Sequence, residues 1–286
     1  TIDEWKIAYN DGSNPRPLFQ AKNAQGYCQP ITIMPDVMKH CKYGSNGYIV
    51  VFGTGRYLGA ADFADLSVQT IYGIWDWADA WSAPADKYLG YFEQPSGDPL
   101  VRGLSNSTPT LLRQCQISGD GTYRVLSDET MNWYSPSTGT GDHVGWYFDL
   151  PAASERVVRD LILQDGAAII ISSIPSDTPC AAGGSSIIHG INACTGGRLD
   201  QAMFDFNGDG VLDSSDMINI GSPEAPVWVY PSGWQKEGMY YTPAVLALPG
   251  GVMNMMYFSI SVGSVDEERT RAEKTGLFCW QELEGN

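Results

Sequence analysis

Tyr48-Ile49-Val50-Val51-Phe52, preceded by Gly47 and closed by Gly53-Thr54-Gly55, is the stretch on which the fold of this 286-residue chain turns. A short apolar run of β-favouring residues between glycines reads as a strand. The continuation through Arg56-Tyr57-Leu58 to Gly59 has a superficial likeness to a dinucleotide-binding fingerprint. Its third glycine comes one place late, and neither a helix nor a second parallel strand follows, so the segment reads as a turn between strands.

Outward from this run the same grammar repeats. Thr70 to Trp75, Gly145 to Leu150, Ala167 to Ser172, Ser186 to Ile191, Val227 to Tyr230 and Met253 to Ile260 are apolar runs bounded by Gly, Pro, Asn or Asp, and each predicts a strand. The best helical candidate is Ser215 to Ile220, one or two turns stopped by Gly221 and Pro223. Three segments resemble one another as hairpins with glycine at the turn: Ile31–Ile33 through Gly47 to Phe52, Val157-Val158 through Gly166 to Ile171, and Val245-Leu246 through Gly250-Gly251 to Phe258. Hairpins recurring around one core favour a β-propeller over a plain sandwich. Ser135 to Asp142 and Ser172 to Ser185 read as loop excursions, and residues 1–286 are expected to form one domain.

Composition agrees with an all-β chain. Hydrophobic residues make up 43% and aromatics 12%, enough for a core, whereas charged residues are only 17%. The formal net charge of −16 repels a phosphate backbone, which excludes nucleic acid as a natural partner. The densest acid, Asp266-Glu267-Glu268, reads as solvated surface. The six cysteines are scattered, with no CxxC and no paired histidine, so structural disulfides are expected rather than zinc. Cys28 with Cys41, and Cys180 with Cys194, are near enough in sequence to staple loops, although spacing alone does not settle pairing. No apolar stretch approaches the roughly 20 residues of a membrane span, and no export signal is seen after Thr1.

The sharpest motif is Asp205-Phe206-Asn207-Gly208-Asp209-Gly210-Val211-Leu212-Asp213-Ser214-Ser215-Asp216. Oxygen side chains stand at positions one, three, five and nine, a backbone carbonyl is offered at seven, glycine stands at six and a carboxylate at twelve. Calcium takes six to eight hard oxygen ligands, and alternate residues of a curled loop can aim theirs inward. Asp205, Asn207, Asp209, the Val211 carbonyl, Asp213 and Asp216 are therefore the candidate metal ligands, with calcium as cofactor. Asp216 is shorter than the usual Glu at position twelve and resembles the dockerin variant of the loop.

Other chemistry is not signalled. His40, His143 and His189 have no HExxH or triad context, and no GxSxG elbow occurs. The aromatics around Tyr72 to Trp81 and Trp228 to Tyr241 read as blade-packing wedges more readily than as a sugar-stacking surface.

Tyr48 to Leu58, Ser67 to Asp76, Gly145-Trp146-Tyr147-Phe148-Asp149-Leu150-Pro151 with Glu155 to Val158, and Pro179-Cys180 through Gly190 to Leu199 together resemble the C-terminal domain of the PilY-type, or neisserial PilC-type, pilus proteins. The likeness runs from about Pro17 to Tyr257. It implies a modified β-propeller, exported to the cell surface, outer membrane or pilus tip, that supports type IV pilus assembly and adhesion and is not an enzyme. It implies calcium in the Asp-rich loop, on Asp205, Asn207, Asp209, Val211 and Asp213, with Asp216 additional to the shorter family motif. It further implies calcium control of pilus extension and retraction. Implied partners are the N-terminal remainder of a longer protein or a partner subunit, minor pilins or the pilus tip, and a host or surface receptor. The chain has no DxSxS motif of the von Willebrand A-like region that family members often carry. With about three or four blades it is expected to leave a propeller open and to present a strand edge to a partner. Two other functions compete with this reading. A pyrroloquinoline quinone-type dehydrogenase is disfavoured because no Cys-Cys dipeptide occurs; a carbohydrate-binding surface module would use the aromatics.

Overall fold

The computed structural model describes residues 17–42, 44–76, 110–135, 137–176, 183–251 and 253–272; Trp77, Trp81, Cys180 and Cys279 lie outside them. The architecture is all-β. Strands β1 (Asp36–Lys39), β2 (Tyr48–Gly53), β3 (Thr70–Asp76), β4 (Thr110–Gln114) and β7 (His143–Asp149) form one sheet in the order β1-β2-β3-β7-β4. A larger sheet contains β5 (Gln116–Gly119), β6 (Tyr123–Leu126), β8 (Arg156–Val157), β9 (Ile162–Gln164), β10 (Ala167–Pro175), β11 (Gly184–Asn192) and β14 (Gly233–Glu237). Its order is β5-β6-β14-β11-β10-β8, with β9 also paired to β10. A small ribbon joins β12 (Ile218–Asn219) to β13 (Trp228–Val229), and β15 (Ala244–Ala247), β16 (Met253–Ser259) and β17 (Val265–Arg271) form a meander. Among these pairings β4 with β7 alone is parallel.

The unbroken Ala167–Ile171 run has a physical reason. Successive strand residues face opposite sides, and β10 has a core on each. Ala168 and Ile170 join the first core with Val51, Ile71 and Trp146, whereas Ala167, Ile169 and Ile171 join the second with Phe204, Phe206 and Phe258. A strand covered on both faces cannot alternate apolar with polar. Each fully buried isoleucine contributes on the order of 1.5–3 kcal/mol relative to exposure.

Two of the motif segments meet at Trp146. Its indole is fully buried and donates from Nε1 to the Ala193 carbonyl at 3.0 Å. A Cβ on Gly73 would lie 2.3 Å from the ring and one on Gly196 2.2 Å, and Gly196 also has φ +71°. The Tyr72-Gly73-Ile74 strand and the Asn192–Gly197 turn thus form a slot that only glycines leave open.

Several expectations need correction. The disulfide joins Cys41 to Cys194, 153 residues apart, so neither Cys28–Cys41 nor Cys180–Cys194 forms. It ties the turn after β1 to the turn after β11, one on each large sheet, and by constraining the unfolded chain contributes up to about 5 kcal/mol. Cys28 and Cys115 are exposed free thiols. The first hairpin uses Asp36–Lys39, not Ile31–Ile33. Residues 31–33 are held outside the sheet by Thr32, whose hydroxyl donates to the Gly55 carbonyl. Ser215–Ile220 is not a helix: Ser214–Asp216 makes one 3-10 turn, Met217 is already extended, and Ile218–Asn219 is β12. Asp266-Glu267-Glu268 lies within β17, where Glu268 is buried and pairs with Lys236, so this acid is not simply solvated surface.

Candidate functional site

The 205–216 loop begins where Phe204 and Asp205 run beside β17. The Asp205 N–H donates to the Arg269 carbonyl at 3.2 Å, and Phe204 bridges Thr270. Alternation then sorts the side chains. Phe204 and Phe206 are buried, and the Phe206 ring packs on Trp234 at 5.3 Å and Tyr123 at 5.4 Å. The oxygen-bearing residues Asn207 and Asp209 are turned outward and exposed. Gly208 at φ +73° and Gly210 at φ +88° supply the left-handed backbone that tightens the curl.

Within the curl the oxygens accept the loop's own N–H groups. Asp205 accepts from Asp209 N at 3.1 Å through Oδ1 and from Gly210 N at 2.8 Å through Oδ2. Asn207 Oδ1 accepts from Asp209 N at 2.8 Å, and Asp209 Oδ1 from Val211 N at 2.8 Å. The Asn207 amide donates to Asp209 Oδ2 at 3.1 Å and to Ser215 Oγ at 2.6 Å, gathering positions three, five and eleven. Asp213 Oδ1 accepts from Ser215 N at 2.7 Å, and these hydrogen bonds hold its carboxyl below the ordinary range.

Asp216 plays a different part from the others. It is buried, and its Oδ1 accepts from Phe206 N at 2.8 Å while Oδ2 accepts from Asp213 N at 3.1 Å, clasping the loop's two ends. Burial raises its pKa, and the nearby Asp205 charge adds to that. Among the described residues no three His, Cys, Asp or Glu side chains gather tightly enough to form a ready-made cage for a metal ion. The donor set is nevertheless entirely hard oxygen, carried on one tight curl, and that chemistry fits a calcium-type ion and not a soft one. Asp205, Asn207, Asp209 and Asp213 are the side chains that could hold it. The Val211 side chain is exposed, leaving its backbone as the contribution to consider.

Sequence reasoning missed a second polar constellation. Glu155, in the turn before β8, receives both Arg124 guanidinium nitrogens, at 2.7 and 3.0 Å. Ser172 on β10 donates to Glu155 Oε1 at 2.5 Å, and His189 Nε2 on β11 lies 2.9 Å from the same hydroxyl. A hydroxyl has one proton. Because that proton points at Glu155, the serine accepts from His189 Nε2–H, and the bare nitrogen is Nδ1, which has no partner. Burial lowers the His189 pKa, and with the Arg124 charge it outweighs the opposing pull of Glu155, which keeps the ring neutral. Burial pushes Glu155 upward, but His189 and Arg124 outweigh it and hold the carboxylate well below its ordinary value.

A serine, a histidine and a glutamate in contact invite comparison with a hydrolase triad, and the wiring excludes it. The carboxylate touches the serine, not the far nitrogen of the imidazole, and Ser172 and His189 are both 0% exposed. This is a structural lock between β6, β10 and β11. The other histidines are also structural: His40 is packed against Trp75 and Trp133 at 4.5 and 4.4 Å, and His143 Nδ1 accepts from Asn132 N.

Comparison with known proteins agrees with this architecture. The family model for the PilY1 beta-propeller domain matches residues 7–85. The type IV pilus biogenesis factor PilY1 of Pseudomonas aeruginosa is 30% identical over 243 residues, covering 78% of this chain and 18% of that protein. A PilY1 homolog of Xylella fastidiosa is 32% identical over 270 residues, covering 86% of this chain and 16% of the relative. The chain therefore spans less than a fifth of the length of these curated relatives. The crystal structure of the P. aeruginosa PilY1 C-terminal domain superposes with a TM-score of 0.65 at 25% identity, over 90% of this chain and 48% of that one. The all-β sheets, the motif segments gathered at Trp146 and these matches lead to one conclusion: the chain belongs to the PilY1 family and represents part of its C-terminal β-propeller domain.

Proposed function

We propose that this chain is the propeller portion of a non-enzymatic type IV pilus biogenesis factor in which the 205–216 loop is a calcium clip. The observation that carries the reading is the position of the loop between two bodies. Asp205 is hydrogen-bonded to β17 of the meander, while Phe206 is inserted beside Tyr123 and Trp234 of the large sheet. A cation held by Asp205, Asn207, Asp209, the Val211 carbonyl and Asp213 would supply fixed positive charge to a curl of carboxylates. It would thereby fasten the meander to the large sheet. Asp216 serves mainly as the clasp that keeps those donors on one curl.

The wider role follows from the relatives, which are pilus biogenesis factors. On this reading the chain works at the cell surface or pilus tip, joined to the remainder of a longer protein, and contacts minor pilins and a surface receptor. No helix among the described residues is long and apolar enough to cross a membrane. The dehydrogenase alternative has no support at Ala193–Gly197, because that turn lines the Trp146 slot.

Calorimetric titration and thermal melts of wild type and Asp209→Ala, each with calcium or chelator, test the clip. Calcium at one hundred times its dissociation constant should stabilise wild type by about 2.7 kcal/mol, and Asp209→Ala should lose most of that. Identical melts in all four conditions would reduce the loop to a turn. In the full-length protein, Asp209→Ala should alter surface piliation in response to calcium; unchanged piliation would separate the loop from the pilus role.

A further inference from the structure

The loop has a cationic neighbour of its own. Arg269 Nη1 lies 3.6 Å from Asp205 Oδ2, the carboxylate at position one, and the Asp205 side chain is 5% exposed against 41% for Arg269. The guanidinium also lies over position six: a Cβ on Gly210 would come within 2.6 Å of Nη1. Glycine at that place thus serves two ends, the left-handed backbone and the room for Arg269. The arginine is not fixed there by chance, since its own carbonyl accepts the Asp205 N–H and so sets the side chain at the mouth of the loop. At 3.6 Å the contact is an ion pair without a hydrogen bond, which leaves it displaceable. Asp205 and Arg269 themselves line an open groove of about 410 Å³, with Asn207, Gly208, Trp234, Met255 and Glu267 among its other walls, so the guanidinium has open space in which to draw back from the carboxylate.

Resting on the calcium reading, we propose that Arg269 is the residue that sets the affinity of the loop, because its guanidinium and an incoming divalent cation compete for the Asp205 carboxylate. Cation binding moves the Arg269 guanidinium away from Asp205 within that groove, and removal of the cation lets it return to Asp205. The arginine therefore weakens binding and at the same time limits repulsion among the loop carboxylates when divalent cations are scarce. Like charges a few ångströms apart in a solvated setting alter an equilibrium by a modest factor, so the effect is one of tuning.

The experiment is calcium titration of the whole chain by calorimetry, for wild type, Arg269→Gln and Arg269→Lys, with melts in chelator. Arg269→Gln should bind calcium about threefold to tenfold more tightly and melt lower in chelator, while Arg269→Lys stays near wild type. The Arg269 Nε–H resonance of the wild-type protein, identified by its loss in Arg269→Lys, should shift in step with calcium saturation. This second readout does not depend on a neutral variant folding. Equal or weaker calcium binding by folded Arg269→Gln, or an unmoved Nε–H resonance while calcium binds, would overturn the role of Arg269 and leave the calcium clip standing. No calcium binding to wild type or either variant would overturn the clip itself, and this inference with it.

Discussion

The 205–216 loop and the Arg124–Glu155–Ser172–His189 network both concentrate charge, and they do so in opposite ways. The side-chain hydrogen bonds made within the loop span at most ten residues, as in Phe206 to Asp216, and most are exposed. In the network, partners are 31 residues apart for Arg124 and Glu155 and 17 for Ser172 and His189, and all are buried. Local, wet charge can rearrange when a cation arrives. Non-local, dry charge is committed to one arrangement, because unpairing either partner leaves a desolvated ion. The difference separates an adjustable element from a fixed one within the same fold.

The largest expected effect is at the fixed end. Glu155→Ala leaves the Arg124 guanidinium buried without its carboxylate and should cost about 3–5 kcal/mol in denaturant unfolding. A cost near zero would erase the distinction between the two regions. Acid should act on the same network, with a definite sign. The folded pKa of His189 lies below its unfolded value of 6.5, so the unfolded chain takes the proton first. Its contribution is complete above that pH and is lost as pH falls below it. The depressed Glu155 carboxyl adds a second loss as pH falls from its unfolded value of 4.5 toward its folded one.

A smaller effect is expected at the Trp146 slot. Gly196→Ala combines a Cβ 2.2 Å from the indole with a backbone at φ +71°, and should destabilise by about 1–3 kcal/mol without touching the loop. Urea unfolding of this variant, alongside its unchanged response to calcium, checks that the two regions are independent. A shifted calcium response would couple them.

How much could be read in advance follows the same division. Strands β2, β3 and β10 were legible because each carries an apolar run buried on both faces or nearly so, and β11 because Ile187, Ile188 and Ile191 mark it on either side of His189 and Gly190. β17 was not, since Val265 to Arg271 is rich in charge and finds its place only by pairing with β16 and placing Glu268 against Lys236. β14 escaped for a similar reason: Gly233–Glu237 is an interior strand despite its polar tail. The loop residues could be named because their spacing is the motif. The clasp formed by Asp216, the guanidinium of Arg269 and the Glu155 lock could not, because each depends on which distant backbone comes alongside. The same holds for the disulfide, where proximity in sequence pointed to Cys28 and Cys180 and the packing of two sheets chose Cys41 with Cys194.

The central claim, that the loop is an adjustable clip on a fixed body, is tested most directly by hydrogen–deuterium exchange of the whole chain with calcium and with chelator. The account predicts that calcium slows exchange in 203–216 and along β17, leaves β10 and β11 unchanged, and does neither in Asp209→Ala. Exchange that is insensitive to calcium throughout, or that slows equally in β10, β11 and the loop, would contradict it.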